Sequence, residues 1–165
     1  MAIDRRRWMV AGAALAAAPV AAHESAPHGA ARKPAVGEQK PWGIAAAPRG
    51  ARRTVVVRMT DAMRFTPDLI EVTLGETLRL DIRNDGRMLH ELVIGTPQEL
   101  REHADLMKKF PNMEHDEPWM AHVSAGQRGR IDWTFNRPGD FEFACLIAGH
   151  YEAGMRGRIL VRSKT

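Results

Sequence analysis

Between Thr54 and Val161, apolar residues recur at every second position in short segments, and this period limits the fold more than any other feature. The segment TLRLDIRN shows the pattern most clearly, with Leu78, Leu80 and Ile82 on one side and charged residues on the other. Successive side chains of a strand point to opposite faces, so the pattern predicts half-buried strands. About seven such strands separated by turn signals predict an all-β fold, a Greek-key antiparallel β-sandwich.

The side chains expected to face the core come from all of these segments. They are Ile70, Val72 and Leu74, then Leu78, Leu80 and Ile82, then His90, Leu92 and Ile94, then Ile131, Trp133 and Phe135, then Phe141, Phe143 and Cys145, and finally Met155, Gly157, Ile159 and Val161.

One segment, TPQELREHADLMKKFP, breaks the alternation and predicts a short inserted helix near residues 97–110. Thr96 is the expected N-cap, Pro97 fits the first helical position, and Glu99 completes a capping box. The apolar side chains predicted to share the buried face of this helix are Leu100, Met107 and Phe110.

The start of the chain has the pattern of an export signal. Residues 1–22 combine the basic stretch DRRRWMV with a short alanine-rich apolar run that ends in small residues. Arg5 and Arg6 followed by Trp8 favour a twin-arginine signal, and an arginine-rich Sec signal is the alternative. The apolar run is too short for a stable membrane anchor, so we expect a periplasmic protein without a membrane span after signal removal.

The next segment differs in composition from the rest of the chain. Residues 23–50 are rich in Ala, Pro and Gly and have no periodicity, so they are predicted to form a flexible tail or linker. The folded domain is expected to cover residues 51–165. The whole chain carries a net charge of +4, but this domain has equal numbers of basic and acidic residues. No basic stripe with interleaved aromatics appears, so nucleic-acid binding is not expected.

The stretch FACLIAGHYEAGM contains the most informative spacing in the sequence. Cys145 is the only cysteine of the 165 residues, and four residues separate it from His150, as four separate His150 from Met155. A single cysteine cannot form a disulfide within its own chain, and a free thiol in an oxidising compartment is exposed to oxidation unless it is buried or bound. A metal thiolate would explain its presence.

Two neighbouring strand ends and the turn between them would present a thiolate, an imidazole and a thioether together. A trigonal copper site needs two imidazoles, one thiolate and a weak axial ligand such as methionine. His90, which opens a strand after the turn Asn84-Asp85-Gly86, is the expected second imidazole. Zinc is a weaker alternative, because structural zinc sites favour more Cys and His and seldom include a thioether.

With these residues, the chain from about Arg53 to Val161 resembles the cupredoxins, the blue-copper proteins. The motif C-x4-H-x4-M has a loop length similar to that of rusticyanin-like proteins. The resemblance implies one type 1 copper ion held by His90, Cys145, His150 and Met155 at one end of the sandwich. It also implies that His150 lies near the surface and conducts electrons.

The sequence departs from many blue-copper proteins directly after the first histidine. Those proteins have asparagine or serine there, which ties the ligand loops together, whereas this chain has Glu91. Glu91 and Asn84 are therefore the residues expected to set the hydrogen bonds around the ligands, and a greener, perturbed site is an open alternative.

Further histidines and methionines suggest a second, looser copper site. The pattern M-x-H occurs repeatedly, and thioethers and imidazoles suit both copper valences. The candidate ligands are His103, Met107, Met113, His115, Met120 and His122. The alternative is that Met107 belongs to the core and the others are ordinary loop residues.

The resemblance implies a monomeric periplasmic protein for one-electron transfer with a redox partner protein. Some bacterial cupredoxins of similar His and Met content serve copper resistance, so binding or oxidising excess periplasmic copper is the alternative function. An enzyme is not expected, because copper nitrite reductases and multicopper oxidases resemble several joined cupredoxin domains.

Overall fold

Eleven strands and one helix make up the computed structural model of this chain, which describes residues 37–111 and 116–164. These residues lie in one compact unit, Lys33–Thr165. In chain order the elements are β1 Gln39–Lys40, β2 Gly43–Ala45, β3 Arg53–Thr60, β4 Arg64–Thr66, β5 Leu69–Thr73, β6 Glu76–Asn84, β7 His90–Gly95, α1 Pro97–Lys109, β8 Met120–Val123, β9 Arg128–Phe135, β10 Gly139–Ala144 and β11 Arg156–Arg162.

The strands form two sheets with a common apolar core. One sheet has the order β1-β2-β9-β6-β3-β4 and the other the order β5-β11-β10-β7-β8. The predicted alternation is confirmed in β6, where Leu78, Leu80 and Ile82 are completely buried. Trp133 from the first sheet and Phe143 from the second belong to the same core cluster. The predicted all-β sandwich is therefore confirmed.

The sheets are mixed rather than purely antiparallel. Strands β3 and β6 pair in parallel, and so do β5 and β11. The chain leaves the first sheet after β4, forms β5 in the second sheet and returns to lie beside β3, and such a crossover makes the two strands parallel. Periodicity of two assigns side chains to faces but contains no information about strand direction.

Leu74 does not lie in the core, although it continues the alternation of Ile70 and Val72. Strand β5 ends at Thr73, and Leu74 is exposed to 37% in the turn that follows. Its N–H donates to the carbonyl of Arg162. The alternation therefore continues one position beyond the strand.

The predicted helix α1 has the expected start. The Thr96 side chain accepts from the Glu99 N–H and the Glu99 carboxylate accepts from the Thr96 N–H, which is the capping box. Leu100 and Met107 are buried as expected, together with Ala104. The prediction for Phe110 was wrong, because this residue is the C-cap, leaves the helical conformation and is 56% exposed.

The end of the segment predicted to be a flexible tail is part of the first sheet. Strands β1 and β2 pair with each other, and β2 continues onto β9. Trp42 between them is only 3% exposed, and its carbonyl accepts from Trp133 Nε1 at 3.1 Å. Strands this short carry no readable alternation. The predicted signal at residues 1–22 and the tail residues 23–36 lie outside the described residues.

None of the helices within the described ranges is long and apolar enough to cross a membrane.

Replacing the buried Trp42 with alanine is expected to destabilise the domain by about 3 kcal/mol, because a large apolar side chain leaves the core. Urea unfolding followed by circular dichroism would measure this loss. Phe110→Ala is the control, since that side chain is mostly exposed and its removal should change the free energy of unfolding by about 0.5 kcal/mol or less. Equal stability of the two variants would contradict the docking of β1 and β2.

Candidate metal centre

The four candidate ligands gather at one end of the second sheet because of the pairing of β10. This strand lies between β7 and β11 and is antiparallel to both. Cys145 directly follows β10, His90 begins β7, and Met155 directly precedes β11. The end of β10 therefore meets the beginnings of its two neighbours, and His150 lies in the turn that connects β10 to β11.

Three of the predicted ligands have their donor atoms within 4.8 Å of one another, namely His90, Cys145 and His150. The Cys145 Sγ lies 3.2 Å from His150 Nδ1, and the two imidazole rings are 5.0 Å apart between centroids. Cys145 and His90 are fully buried, and His150 is half-buried. This is the only cluster of three or more His, Cys, Asp or Glu side chains suited to a metal ion among residues 37–111 and 116–164.

Backbone hydrogen bonds connect Met155 to two other candidate ligands, Cys145 and His150. Its carbonyl accepts from the Cys145 N–H at 3.0 Å, and its own N–H donates to the His150 carbonyl at 3.0 Å. The side chain is fully buried in the main core cluster. Its role as the weak fourth ligand remains a prediction.

The turn between Cys145 and Met155 is closed by its own backbone hydrogen bonds. The His150 N–H donates to the Ile147 carbonyl at 2.9 Å, and the Gly154 N–H donates to the Tyr151 carbonyl at 3.0 Å. Such internal bonds fix the backbone on both sides of His150. The turn itself therefore determines where the His150 imidazole lies.

His90 is oriented by a residue that the sequence analysis missed. Its Nε2 lies 3.0 Å from Oδ1 of Asp61, in the loop between β3 and β4. Its Nδ1 is buried and has no hydrogen-bond partner. With the carboxylate accepting at Nε2, that nitrogen carries the proton and Nδ1 keeps a free lone pair. A metal ion would satisfy this atom, so the residues fit copper as the spacing predicts.

The Cys145 thiol lies in a dry environment. Burial raises the pKa of Cys145 to about 12, although the Glu91 N–H, 3.4 Å from Sγ, acts in the opposite direction. A thiol with this pKa stays protonated at neutral pH. Metal binding must therefore displace the proton, which couples copper affinity to pH.

His150 is held in its neutral form. Burial of the ring lowers the pKa of His150, and the neighbouring His90 lowers it further. Because the imidazole is uncharged at neutral pH, one of its nitrogens has a lone pair available for a metal without loss of a proton.

Glu91 connects the two ligand loops. It stands at the position where many blue-copper proteins have asparagine or serine for this purpose. Its side chain is buried, and Oε1 accepts from the Leu146 N–H at 2.8 Å, next to Cys145. Its Oε2 lies 2.8 Å from Nε2 of His122 and forms an ion pair with this ring when His122 is protonated. The geometry of this contact is not that of a hydrogen bond. The carboxylate thus links β7, β8 and the loop after β10.

Asn84 holds the turn that leads into His90. Its Nδ2 donates to the Met88 carbonyl at 2.7 Å and to the Val123 carbonyl at 2.8 Å, and its Oδ1 accepts from the Gly86 N–H at 2.9 Å. The side chain is 2% exposed. Asn84 therefore fixes the turn that precedes the ligand strand β7. The sequence analysis expected Asn84 to make hydrogen bonds near the ligands.

The residues of the suggested second copper site have different surroundings. Met107 and Met120 are buried in a small core cluster beneath α1, with Tyr151 among its members. His103 lies half-buried on α1, and His122 contacts Glu91. The remaining candidates, Met113 and His115, lie outside the described residues. The second site stays a prediction.

The comparisons with known proteins agree with this fold and with a copper-binding family. The family described as copper binding proteins, plastocyanin/azurin family, matches residues 52–162. The copper-resistant cuproprotein CopI of Rubrivivax gelatinosus is 48% identical over 122 residues, 74% of this chain and 74% of that protein. CopI of Pseudomonas aeruginosa is 32% identical over 141 residues, 68% of this chain and 77% of that protein.

Solved structures show the same fold. Auracyanin B superimposes with a TM-score of 0.60 at 22% identity, covering 73% of this chain and 96% of that chain. A reduced auracyanin from Roseiflexus castenholzii has a TM-score of 0.59 at 19% identity, covering 68% and 99%.

The sandwich and its buried cluster of one thiol and two imidazoles define a cupredoxin-type metal protein. The chain belongs to the plastocyanin/azurin family of copper-binding proteins. The predicted family and the predicted copper cofactor are thereby confirmed.

Removing the Glu91 carboxylate is expected to destabilise the metal-free protein. Glu91→Ala would leave the buried Leu146 N–H without an acceptor, at a cost of about 1–3 kcal/mol. Glu91→Gln keeps an acceptor oxygen and should lose less. Urea unfolding of both variants at neutral pH would test this order, and an alanine variant as stable as the glutamine variant would contradict it.

Cys145 is expected to resist alkylation in the folded, metal-free protein. A pKa of about 12 in place of 9.0 lowers the thiolate fraction about a thousandfold, and the thiolate is the reactive form. Iodoacetamide labelling at pH 8 should therefore be at least about 100-fold slower in the native state than in urea. Equal labelling rates in both states would contradict the burial of the thiol.

Burial of the Cys145 thiol also makes the free energy of unfolding depend on pH. Its stabilising contribution is complete below pH 9 and should fall as the pH rises toward 12, because the thiol ionises first in the unfolded chain.

Proposed function

We propose that this chain is an exported, periplasmic copper-tolerance protein that binds one copper ion through His90, Cys145, His150 and Met155. The observation that carries this proposal is the buried thiol of Cys145 between two imidazoles, one of which has an unpartnered nitrogen. Relatives at 48% and 32% identity are named copper-resistant cuproproteins, which supports the tolerance role over other uses of the same site.

The site suits retention of copper within the protein. His90 and Cys145 are fully buried, so a bound ion would be shielded from small chelators. When bound, copper supplies one-electron chemistry between its two valences. The chain's own contribution is to hold the donor atoms in one arrangement, which the pairing of β10 and the internally bonded turn provide.

One-electron transfer to a partner protein is the second candidate function. His150 is the half-buried member of the set, and its ring lies 5.0 Å from that of His90. The residues just before His90, Met88 and Leu89, are 41% and 47% exposed. An apolar surface beside a partly exposed ligand permits brief docking of a redox partner. If the protein confers tolerance by oxidising Cu(I), it would pass the electron to a partner in the same way.

We expect a binding protein that acts as a monomer, without enzymatic turnover. The described domain contains one thiol and one candidate cluster, and a multicopper enzyme would need further histidine ligands.

Substitution of the thiol tests the proposal. Copper(II)-loaded wild-type protein should show an intense thiolate-to-copper absorption band and a matching EPR spectrum, and Cys145→Ser should lose both. In a deletion strain, the wild-type gene should restore growth on copper and Cys145→Ser should not.

The control is Met88→Leu, which changes an exposed methionine outside the proposed ligand set. This variant should keep the spectrum and restore growth. A serine variant that still restored growth would contradict the tolerance role of the site. Spectra that did not change on Cys145→Ser would contradict the copper site itself.

A further inference from the structure

Asp61 lies in a tight hairpin loop whose geometry is fixed by its neighbours. Strands β3 and β4 pair with Thr60 opposite Arg64, so only residues 61–63 form the loop. The Met63 N–H donates to the Thr60 carbonyl at 3.0 Å, and Met63 has a φ of 58°. A three-residue loop that ends in a left-handed residue is a common hairpin connection. The loop presents Asp61 to the segment between β6 and β7.

Three donors converge on the Asp61 carboxylate, two from that segment and one from His90, the first residue of β7. The Arg87 N–H lies 2.8 Å from Oδ2, the Met88 N–H 3.3 Å from Oδ1, and His90 Nε2 3.0 Å from Oδ1. Gly86 makes the approach possible, because a Cβ at that position would overlap the Asp61 carboxylate. Asp61 therefore joins the hairpin, the preceding turn and the buried imidazole.

The bond to His90 affects the site differently from the two backbone bonds. The backbone bonds only order the turn, whereas the imidazole bond fixes which ring nitrogen carries the proton. It also places a carboxylate at Nε2, so that Nδ1 is the ring nitrogen left without a partner. A carboxylate bonded to a ligating histidine fixes the ring and raises its basicity as a ligand.

We propose that Asp61 is a positioning residue that holds His90 with Nδ1 free and biases the site toward Cu(II) over Cu(I). The negative charge of Asp61 would be separated from the copper ion by the His90 ring. It attracts Cu(II) more strongly than Cu(I) because Cu(II) has the higher positive charge, just as a nearby opposite charge favours the ionised form of a titratable group. The inference rests on copper ligation by His90. It adds to the proposed function a reason for bound copper to lose an electron readily to an acceptor.

The first experiment compares Asp61→Asn with Asp85→Asn. Asparagine at position 61 retains one acceptor oxygen, which can serve His90 Nε2 and the Met88 N–H, but it loses the acceptor of the Arg87 N–H and has no charge. Asp85 is a matched control, because its carboxylate has a similar exposure, 39% against 36%, and pairs with Arg58 at 2.6 Å. Spectroelectrochemical titration of the copper-loaded proteins would give each reduction potential.

Asp61→Asn should raise the reduction potential, and Asp85→Asn should leave it at the wild-type value. Asp61→Ala removes the acceptor as well and should lower the Cu(II) affinity by about 10–100-fold. If the Cu(I) affinity stays constant, each tenfold loss corresponds to an upward shift of about 59 mV for one electron. Wild-type potentials in both Asp61 variants would overturn the proposal. If the alanine variant does not fold, the asparagine variant decides.

A second measurement needs no metal. Nitrogen-15 NMR of the metal-free wild-type protein should show His90 protonated at Nε2, and in Asp61→Ala this preference should be lost. A wild-type ring protonated at Nδ1 would overturn the proposal. Wild-type protein that binds no copper would instead contradict the proposed function, while the NMR result would still report the role of Asp61.

Discussion

The hydrogen bonds of strand β10 to β7 on one side and β11 on the other are the constraint on which the site depends. They bring residues from positions 90, 145 and 155 together without any flexible arm. The donor atoms are therefore held by the sheet rather than by the metal. A site of this kind changes little when the charge of a bound ion changes, which keeps the cost of moving one electron low.

A buried polar cluster of this type is stable only if nearly every group around it has a partner. Glu91 accepts from the backbone beside Cys145, Asn84 satisfies the turn before His90, and Asp61 bonds the outer nitrogen of the ring. Among the described residues of this region, three buried polar atoms have no hydrogen-bond partner: Nδ1 of His90, Oε2 of Glu91 beside His122, and the Tyr151 hydroxyl. Of these, only Nδ1 of His90 belongs to the candidate metal cluster, so it is the atom that indicates where a metal is needed.

The sequence predicted the sandwich, and it predicted three residues that the structure brings together, His90, Cys145 and His150. It could do so because alternation and the spacing of Cys145 and His150 are local patterns. It did not predict Asp61, which lies 29 positions before its partner and reaches it only through a crossover of the fold. The parallel strand pairs and the docked Trp42 were missed for the same reason. The environment of Glu91 could not be read either, because His122 and Leu146 become its neighbours only when three strands assemble.

The short strands β1 and β2 have a consequence for solubility. They cover only part of β9, where Ile44 and Ala45 pair with Thr134 and Trp133. The other half of β9 carries the exposed Arg128 and Arg130, whose charges discourage pairing with a second chain. Proteolytic trimming past Ala45 would bare backbone donors and acceptors next to a large indole. The trimmed protein would keep its metal ligands but have an unpaired edge on β9 that can pair with a second chain. We therefore expect self-association to appear before any loss of copper.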